Sequence, residues 1–138
     1  MRMSGPARKA LGGALFVYAI LYTTHVVFNP FYSDQISTSD VYQIMNPLTA
    51  IGILISAAVA WRHKPASEDA SVSSGHYLAA QAGFYLSLVL AILFFTLWFR
   101  GLNDEPSGAA DNMAWYFVAV LHPLVLGTTG THLWKSTD

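Results

Sequence analysis

The chain has 138 residues, of which 54% are hydrophobic and only 11% are charged. This charged share is about half that of a typical soluble protein, which is too little to cover a water-exposed surface. A net charge of −1 provides no dense basic patch for binding phosphates, and this excludes nucleic acid as a partner. Because the chain has no cysteine, thiol catalysis, disulfide exchange and cysteine-ligated metal centres are excluded as well.

The first of four apolar runs covers residues 10–28 and is long enough to cross a hydrocarbon core of about 30 Å as a helix. It follows Arg8 and Lys9, and no small-residue cleavage site comes after it, so it is predicted to be an uncleaved membrane anchor. Asn29 and Pro30 are expected to close this span, because proline lacks an N–H and disfavours helix in the residue before it.

The second apolar run covers residues 41–61. Asp40 and Gln43 have the spacing of a capping box, which predicts that the helix begins at Asp40. Asn46 lies inside this span, directly before Pro47. A proline within a helix frees a carbonyl group one turn earlier and kinks the helix there.

The third and fourth apolar runs cover residues 77–99 and 113–134. A polar loop with Pro65 and the serine-rich residues 67–74 precedes the third run, and residues 106–108 form a short loop before the fourth. Neither loop is long enough to hold a second domain.

The whole chain, residues 1–138, is therefore predicted to be one all-α integral membrane domain, a bundle of four transmembrane helices with short loops. Most Lys and Arg residues lie on the side that the termini share with the middle loop: Arg2, Arg8, Lys9, Arg62, Lys64 and Lys135. Only Arg100 lies on the opposite side. The positive-inside rule therefore places both termini in the cytoplasm, with the protein in the inner or plasma membrane of the cell.

Small residues recur every fourth position in three of the predicted spans, and this spacing lets membrane helices approach closely. They are Gly52, Ser56 and Ala60 in the second span, Ala79, Gly83, Ser87 and Ala91 in the third, and Gly127 in the fourth with Ala119, Pro123 and Thr131. These rows predict contacts with another helix, either of this chain or of another subunit.

Three polar residues within the spans are the candidate ligand-binding residues: His25, Asn46 and His122. Their depths below the outer helix ends are about one to three helical turns, so they are expected to converge in the outer leaflet. Both histidines should point into the bundle, because hydrocarbon offers an imidazole no hydrogen-bond partner. Tyr18 and Tyr22 share a helix face with His25 and are its expected partners.

These three residues have a structural and a functional interpretation. In the structural one, they satisfy backbone groups that Pro47 and Pro123 free from helical hydrogen bonding. In the functional one, His25 and His122 are the two axial ligands of a haem b held between helices, with Asn46 nearby. Two histidines alone do not define a zinc or copper site, so no metal site is predicted.

The sequence contains no nucleophile constellation and no catalytic carboxylate pair, so no catalytic residue is assigned and an enzymatic role is disfavoured. We expect a non-catalytic accessory or structural subunit of a larger membrane protein complex, with the lipid bilayer and other membrane subunits as partners. The first alternative is a haem b-binding or quinone-side electron-transfer subunit. The second is a small channel or carrier, although the spans carry no Asp, Glu, Lys or Arg away from their ends.

Overall fold

A computed structural model of the chain describes residues 3–63, 73–106 and 108–136. These residues form four α-helices and no β-strand, and the helices are α1 (Gly5–Tyr32), α2 (Thr38–His63), α3 (Ser74–Leu102) and α4 (Ala109–Lys135). All four helices are long and apolar enough to cross a membrane, as expected of a multi-pass membrane protein. Most of the predicted polar loop before α3, and Ser107 of the loop before α4, lie outside the described residues.

Polar groups cap the helix starts. The hydroxyl groups of Ser4 and Ser73 each accept a backbone N–H three residues later, at 3.4 and 3.2 Å. At the start of α4, the carboxylate of Asp111 accepts the N–H of Gly108 at 3.1 Å. The helices have 26 to 29 residues and are thus about 40 Å long, longer than a hydrocarbon core of about 30 Å.

Two of the predicted helix ends are wrong. Helix α1 continues through Pro30 to Tyr32, because Pro30 lies in the last turn and the Tyr32 hydroxyl bonds back to the carbonyl of His25 at 3.3 Å. Helix α2 begins at Thr38, so Asp40 lies in its first turn rather than at its N-cap. A carboxylate there is still favourable, since the helix dipole leaves partial positive charge at the N-terminus.

Helix α4 contacts each of the other three helices, and its most extensive contact is with α1. Helices α2 and α3 also pack together, whereas α1 and α2 touch only slightly although they are neighbours in sequence. The largest fully buried apolar side chains come from α2, α3 and α4: Ile53, Leu90, Phe94, Val118 and Leu126. The core therefore lies around α4, and α1 is attached to it mainly from one side.

The closest helix contact joins α1 and α4 through two glycines. A Cβ atom added at Gly12 would lie 2.6 Å from the carbonyl oxygen of Gly130, and one added at Gly130 would lie 2.6 Å from that of Gly12 and 2.8 Å from the backbone N of Phe16. Both backbones are thus near van der Waals contact, which only glycine permits at these two positions.

The predicted rows of small residues lie partly on contact faces. Ser56 is fully buried, and a Cβ added at Gly52 would lie 2.6 Å from a methyl group of Leu126. A Cβ at Gly127 would make an ordinary contact, 3.9 Å from the Cβ of Ala19. Ala60 is half-buried in α2.

The row in α3 lies only partly on a contact face of the described bundle, so its contact with a helix of another subunit stays a prediction. Ser87 is buried and Ala91 is half-buried, but Ala79 and Gly83 are exposed. A Cβ added at Gly83 would have no neighbour within 4 Å among the described residues. The helix face that packs against the bundle is defined by the buried residues of α3, and Gly83 lies off this face. These buried residues are Phe84, Ser87, Leu90, Phe94 and Leu97.

Candidate functional site

A chamber of about 450 Å³ lies between α1, α2 and α4, on the side where α1 and α2 separate. Its lining residues are Tyr22, Val26, Tyr42, Asn46, Asn112, Trp115, Tyr116 and Ala119. This volume is within the range of small-molecule sites in proteins, about 300–1,000 Å³. Aromatic rings and amide groups dominate the wall, and none of the lining side chains carries a charge.

The chamber occupies the half of the bundle in which α1 ends and α4 begins. At 1.5 Å per residue, Tyr22 lies about 15 Å from the end of α1, and Asn46 lies about 12 Å from the start of α2. Asn112 lies only about 5 Å from the start of α4. The chamber therefore extends from the bundle surface to roughly a third of the way along its helices.

A chain of hydrogen bonds, buried at Thr49 and His122, links three helices below the chamber. The Tyr18 hydroxyl donates its only proton to the carbonyl of Met45 at 2.8 Å. Tyr18 must therefore accept from the Thr49 hydroxyl, also at 2.8 Å. Thr49 in turn accepts from Nε2 of His122 at 3.3 Å. This chain assigns the Nε2–H tautomer to His122 and ties α1, α2 and α4 together.

His122 is fully buried, which confirms the prediction that its ring points into the bundle. Its ring stacks on that of Tyr22, with centroids 3.7 Å apart and planes inclined by 18°, and meets the Tyr18 ring edge-on. Its Nδ1 atom has no partner among the described residues. Tyr22 therefore separates the imidazole of His122 from the chamber that Tyr22 lines.

His25 has different partners from the ones expected. Its Nδ1 bonds to the hydroxyl of Tyr32, two turns later in α1, rather than to Tyr18 or Tyr22. Its ring also lies edge-on to that of Tyr42 in α2, with centroids 5.3 Å apart. The polar side chains of α1 therefore form two separate hydrogen-bonded groups. Tyr18 bonds to α2, whereas His25 bonds to Tyr32 near the end of α1.

The three predicted site residues lie around one region but do not form one site. Asn46 lines the chamber, His122 lies behind Tyr22, and His25 lies beside Tyr42. No ring contact joins the two histidines in the described part of the chain.

This arrangement gives the haem hypothesis no geometric support. In a bis-histidine site, one nitrogen of each imidazole points at a shared iron. Here Nε2 of His122 is bonded to Thr49, and Nδ1 of His25 is bonded to Tyr32. The face of the His122 ring is also covered by Tyr22. Each ring nevertheless keeps one nitrogen without a partner among the described residues, Nδ1 of His122 and Nε2 of His25, so the haem hypothesis stays a prediction.

Several residues of the region were missed by the sequence analysis. Thr49 lies three residues after Asn46, on the same face of α2, and this spacing could have indicated it. Asn112 and Trp115 are likewise three residues apart at the start of α4. No sequence signal indicated Tyr32, because the expected helix end at Pro30 placed it outside the span.

A second candidate surface is the outward face of α3, centred on Gly83 with Ala79 one turn earlier. Large apolar side chains surround it, namely Leu78, Leu86 and Tyr85, and all three are exposed. In a helix, glycine costs about 1 kcal/mol relative to alanine, and no described residue uses the space that Gly83 leaves.

Comparison of the chain with protein-family models, with curated proteins and with solved structures finds no match. The chamber and the α3 face are therefore interpreted from their own geometry.

Proposed function

We propose that the chain is inserted in the inner or plasma membrane with both termini in the cytoplasm. Arg8, Lys9, Arg62 and Lys135 cluster at the bundle end where α1 begins and α4 finishes. Arg8 donates to the hydroxyl of Ser136 at 3.2 Å, which places these two helix ends side by side. An excess of Lys and Arg at one end is typical of the cytoplasmic side.

The single basic residue at the other end supports the same orientation. Arg100 bonds to the carboxylates of Glu105 at 2.7 Å and of Asp111 at 2.6 Å. Its charge is therefore balanced locally, and the outer end has no unbalanced positive charge to oppose this orientation. These ion pairs also connect the end of α3 to the start of α4.

Within the membrane, the proposed function is that of a non-catalytic accessory subunit of a larger membrane protein complex. The observation that carries this proposal is the open space at Gly83 on the exposed face of α3. Membrane helices associate through small residues because lipid gives them no hydrophobic driving force. A partner helix seated at Gly83 would use the close approach that this glycine allows.

Two further features fit a subunit better than an independent enzyme or carrier. The described connections between α1 and α2 and between α3 and α4 are short, so they hold no water-exposed active site. Below the chamber, Thr49 and His122 are fully buried and bonded to each other, so packed side chains block a path in that direction.

The proposal is tested by the mass of the assembly extracted from its native membrane in mild detergent. The wild-type chain is expected to migrate well above its own mass of 15.1 kDa, and Gly83→Leu should shift it to the single-chain position. A leucine at this position fills the space that a partner backbone would need.

The matched control is Gly75→Leu, because a Cβ at Gly75 also has no neighbour within 4 Å but lies at the first turn of α3. This variant should keep the wild-type mass. The same measurement on the purified chain identifies the kind of partner. A high mass of the purified chain indicates self-association, and the single-chain mass indicates a different protein. A wild-type chain that migrates alone, or a Gly83→Leu variant with unchanged mass, would contradict the proposal.

A further inference from the structure

The chamber between α1, α2 and α4 is lined by polar side chains that are not used in the fold. Tyr22 is only 3% exposed, yet its hydroxyl has no hydrogen-bond partner among the described residues. The side chains of Tyr42, Asn46, Asn112 and Trp115 also make no hydrogen bond there. The hydrogen-bonding capacity of these side chains is therefore available to a ligand in the chamber.

Prolines add hydrogen-bond acceptors to the same wall. Pro30 and Pro123 have no N–H, so the carbonyl oxygens four residues earlier lose their helical donors. Those carbonyls belong to Val26 and Ala119, and both residues line the chamber. The wall therefore offers phenol, amide and indole donors together with amide and backbone acceptors.

The absence of charge from the described lining narrows the class of ligand. Binding a phosphate or carboxylate group away from water requires Arg or Lys, and binding a cation requires carboxylates or a set of carbonyls. The nearest ionic group in sequence, Asp111, already bonds to Arg100 and Gly108. This wall can therefore enclose an uncharged ligand without removing an unpaired charge from water.

The shape of the wall favours a flat ring. The aromatic side chains of Tyr22, Tyr42, Trp115 and Tyr116 come from all three helices, so a planar group can lie against a ring on several sides. The chamber reaches about 15 Å below the helix ends. Since these helices extend only about 5 Å beyond each side of the hydrocarbon core, much of the chamber lies at hydrocarbon depth.

We propose that this chamber binds the head group of a membrane quinone, an uncharged ring with two oxygen atoms and an apolar tail. The carbonyl oxygens accept hydrogen bonds from the tyrosine and asparagine side chains, and the hydroxyls of the reduced form donate to the acceptors on the same wall. In this arrangement the tail extends into lipid between α1 and α2, which make little contact with each other. The proposal concerns binding alone and is independent of the α3 face.

The experiment is a calorimetric titration of decylubiquinone into the full-length protein in phosphatidylcholine nanodiscs, with empty nanodiscs as the baseline for partitioning. The expected result is saturable binding to one site per chain. Tyr22→Phe and Asn112→Leu should each raise the dissociation constant about tenfold, because each removes a hydrogen bond to a ring oxygen. Asn112 is exposed at the chamber rim, so its replacement leaves the fold intact even if Tyr22→Phe does not.

The matched control is Tyr85→Phe, a tyrosine exposed on α3 and absent from the chamber lining. It should bind the quinone as tightly as the wild type does. Heat that merely follows partitioning into empty nanodiscs would overturn the proposal. So would equal weakening by all three substitutions, or saturable binding of a galactolipid head group in place of the quinone.

Discussion

At the scale of single residues, Thr49 of α2 joins side chains of two other helices, Tyr18 of α1 and His122 of α4. It is fully buried, and its hydroxyl donates to Tyr18 while accepting from Nε2 of His122. Since Nδ1 of His122 has no partner among the described residues, Thr49 provides the only hydrogen bond to this imidazole there. An uncompensated polar group in an apolar interior costs free energy, so this single contact matters for stability.

We predict that Thr49→Val lowers the free energy of unfolding by about 1–3 kcal/mol. Valine has nearly the shape of threonine, so the change removes the hydroxyl without leaving a cavity. Both ring nitrogens of His122 would then be buried and unpaired. The measurement is reversible unfolding in mixed micelles with increasing SDS, followed by circular dichroism.

Thr96→Val in α3 is the matched control for this prediction, because Thr96 is exposed and removed from the buried network. Its unfolding free energy should equal that of the wild type within about 0.5 kcal/mol. If Thr49→Val were as stable as Thr96→Val, the hydrogen-bond chain below the chamber would have no energetic role.

At the scale of helices, the glycine contact between α1 and α4 lies within the most extensive helix contact of the bundle. Gly12 and Gly130 approach each other through backbone atoms, which cannot rotate away as a side chain could. The contact therefore depends on the absence of a Cβ atom at both positions.

Gly130→Ala should destabilise the bundle by about 1–3 kcal/mol, because the new methyl group would lie 2.6 Å from the Gly12 carbonyl oxygen and force the helices apart. Gly83→Ala adds the same methyl group to the same kind of helix at a position with open space. We expect it to leave the isolated chain unchanged or slightly more stable, since alanine is the better helix former. The same SDS titration compares the two, and equal losses of stability would contradict the assigned packing.

The sequence predicted the existence and type of the four helices because each apolar run is long and bounded by polar residues. It did not predict which face of α3 is buried, since almost every position of that helix is apolar and hydrophobicity alone leaves its rotation undefined. Gly12 was missed for a related reason: one close backbone contact requires only one glycine on each helix and produces no repeated pattern.

At the scale of the whole molecule, the pairing of α1 with α4 rather than α2 creates the chamber. The sequence indicated that polar residues of different helices lie at similar depths, because the depth of a residue follows from its distance to the helix end. It did not indicate which helices are neighbours, because that depends on how the helices pack. Asn46 lines the chamber together with Tyr22, which was expected to bond His25 and instead stacks on His122.

The proposed orientation of the bundle places the chamber in the outer leaflet. The chain contains no natural cysteine, so a single introduced cysteine reports one position without interference. Gln35 between α1 and α2 and Gly75 at the start of α3 are both exposed, so burial in the protein does not distinguish them.

The most direct test of the central claim is labelling of Gln35→Cys and Gly75→Cys in intact cells with a maleimide that cannot cross the membrane. Gln35→Cys should be labelled in intact cells, and Gly75→Cys should be labelled only after the cells are permeabilised. Labelling of Gly75→Cys from outside, with Gln35→Cys protected until permeabilisation, would contradict the orientation, and protection of neither site would contradict a membrane-spanning bundle.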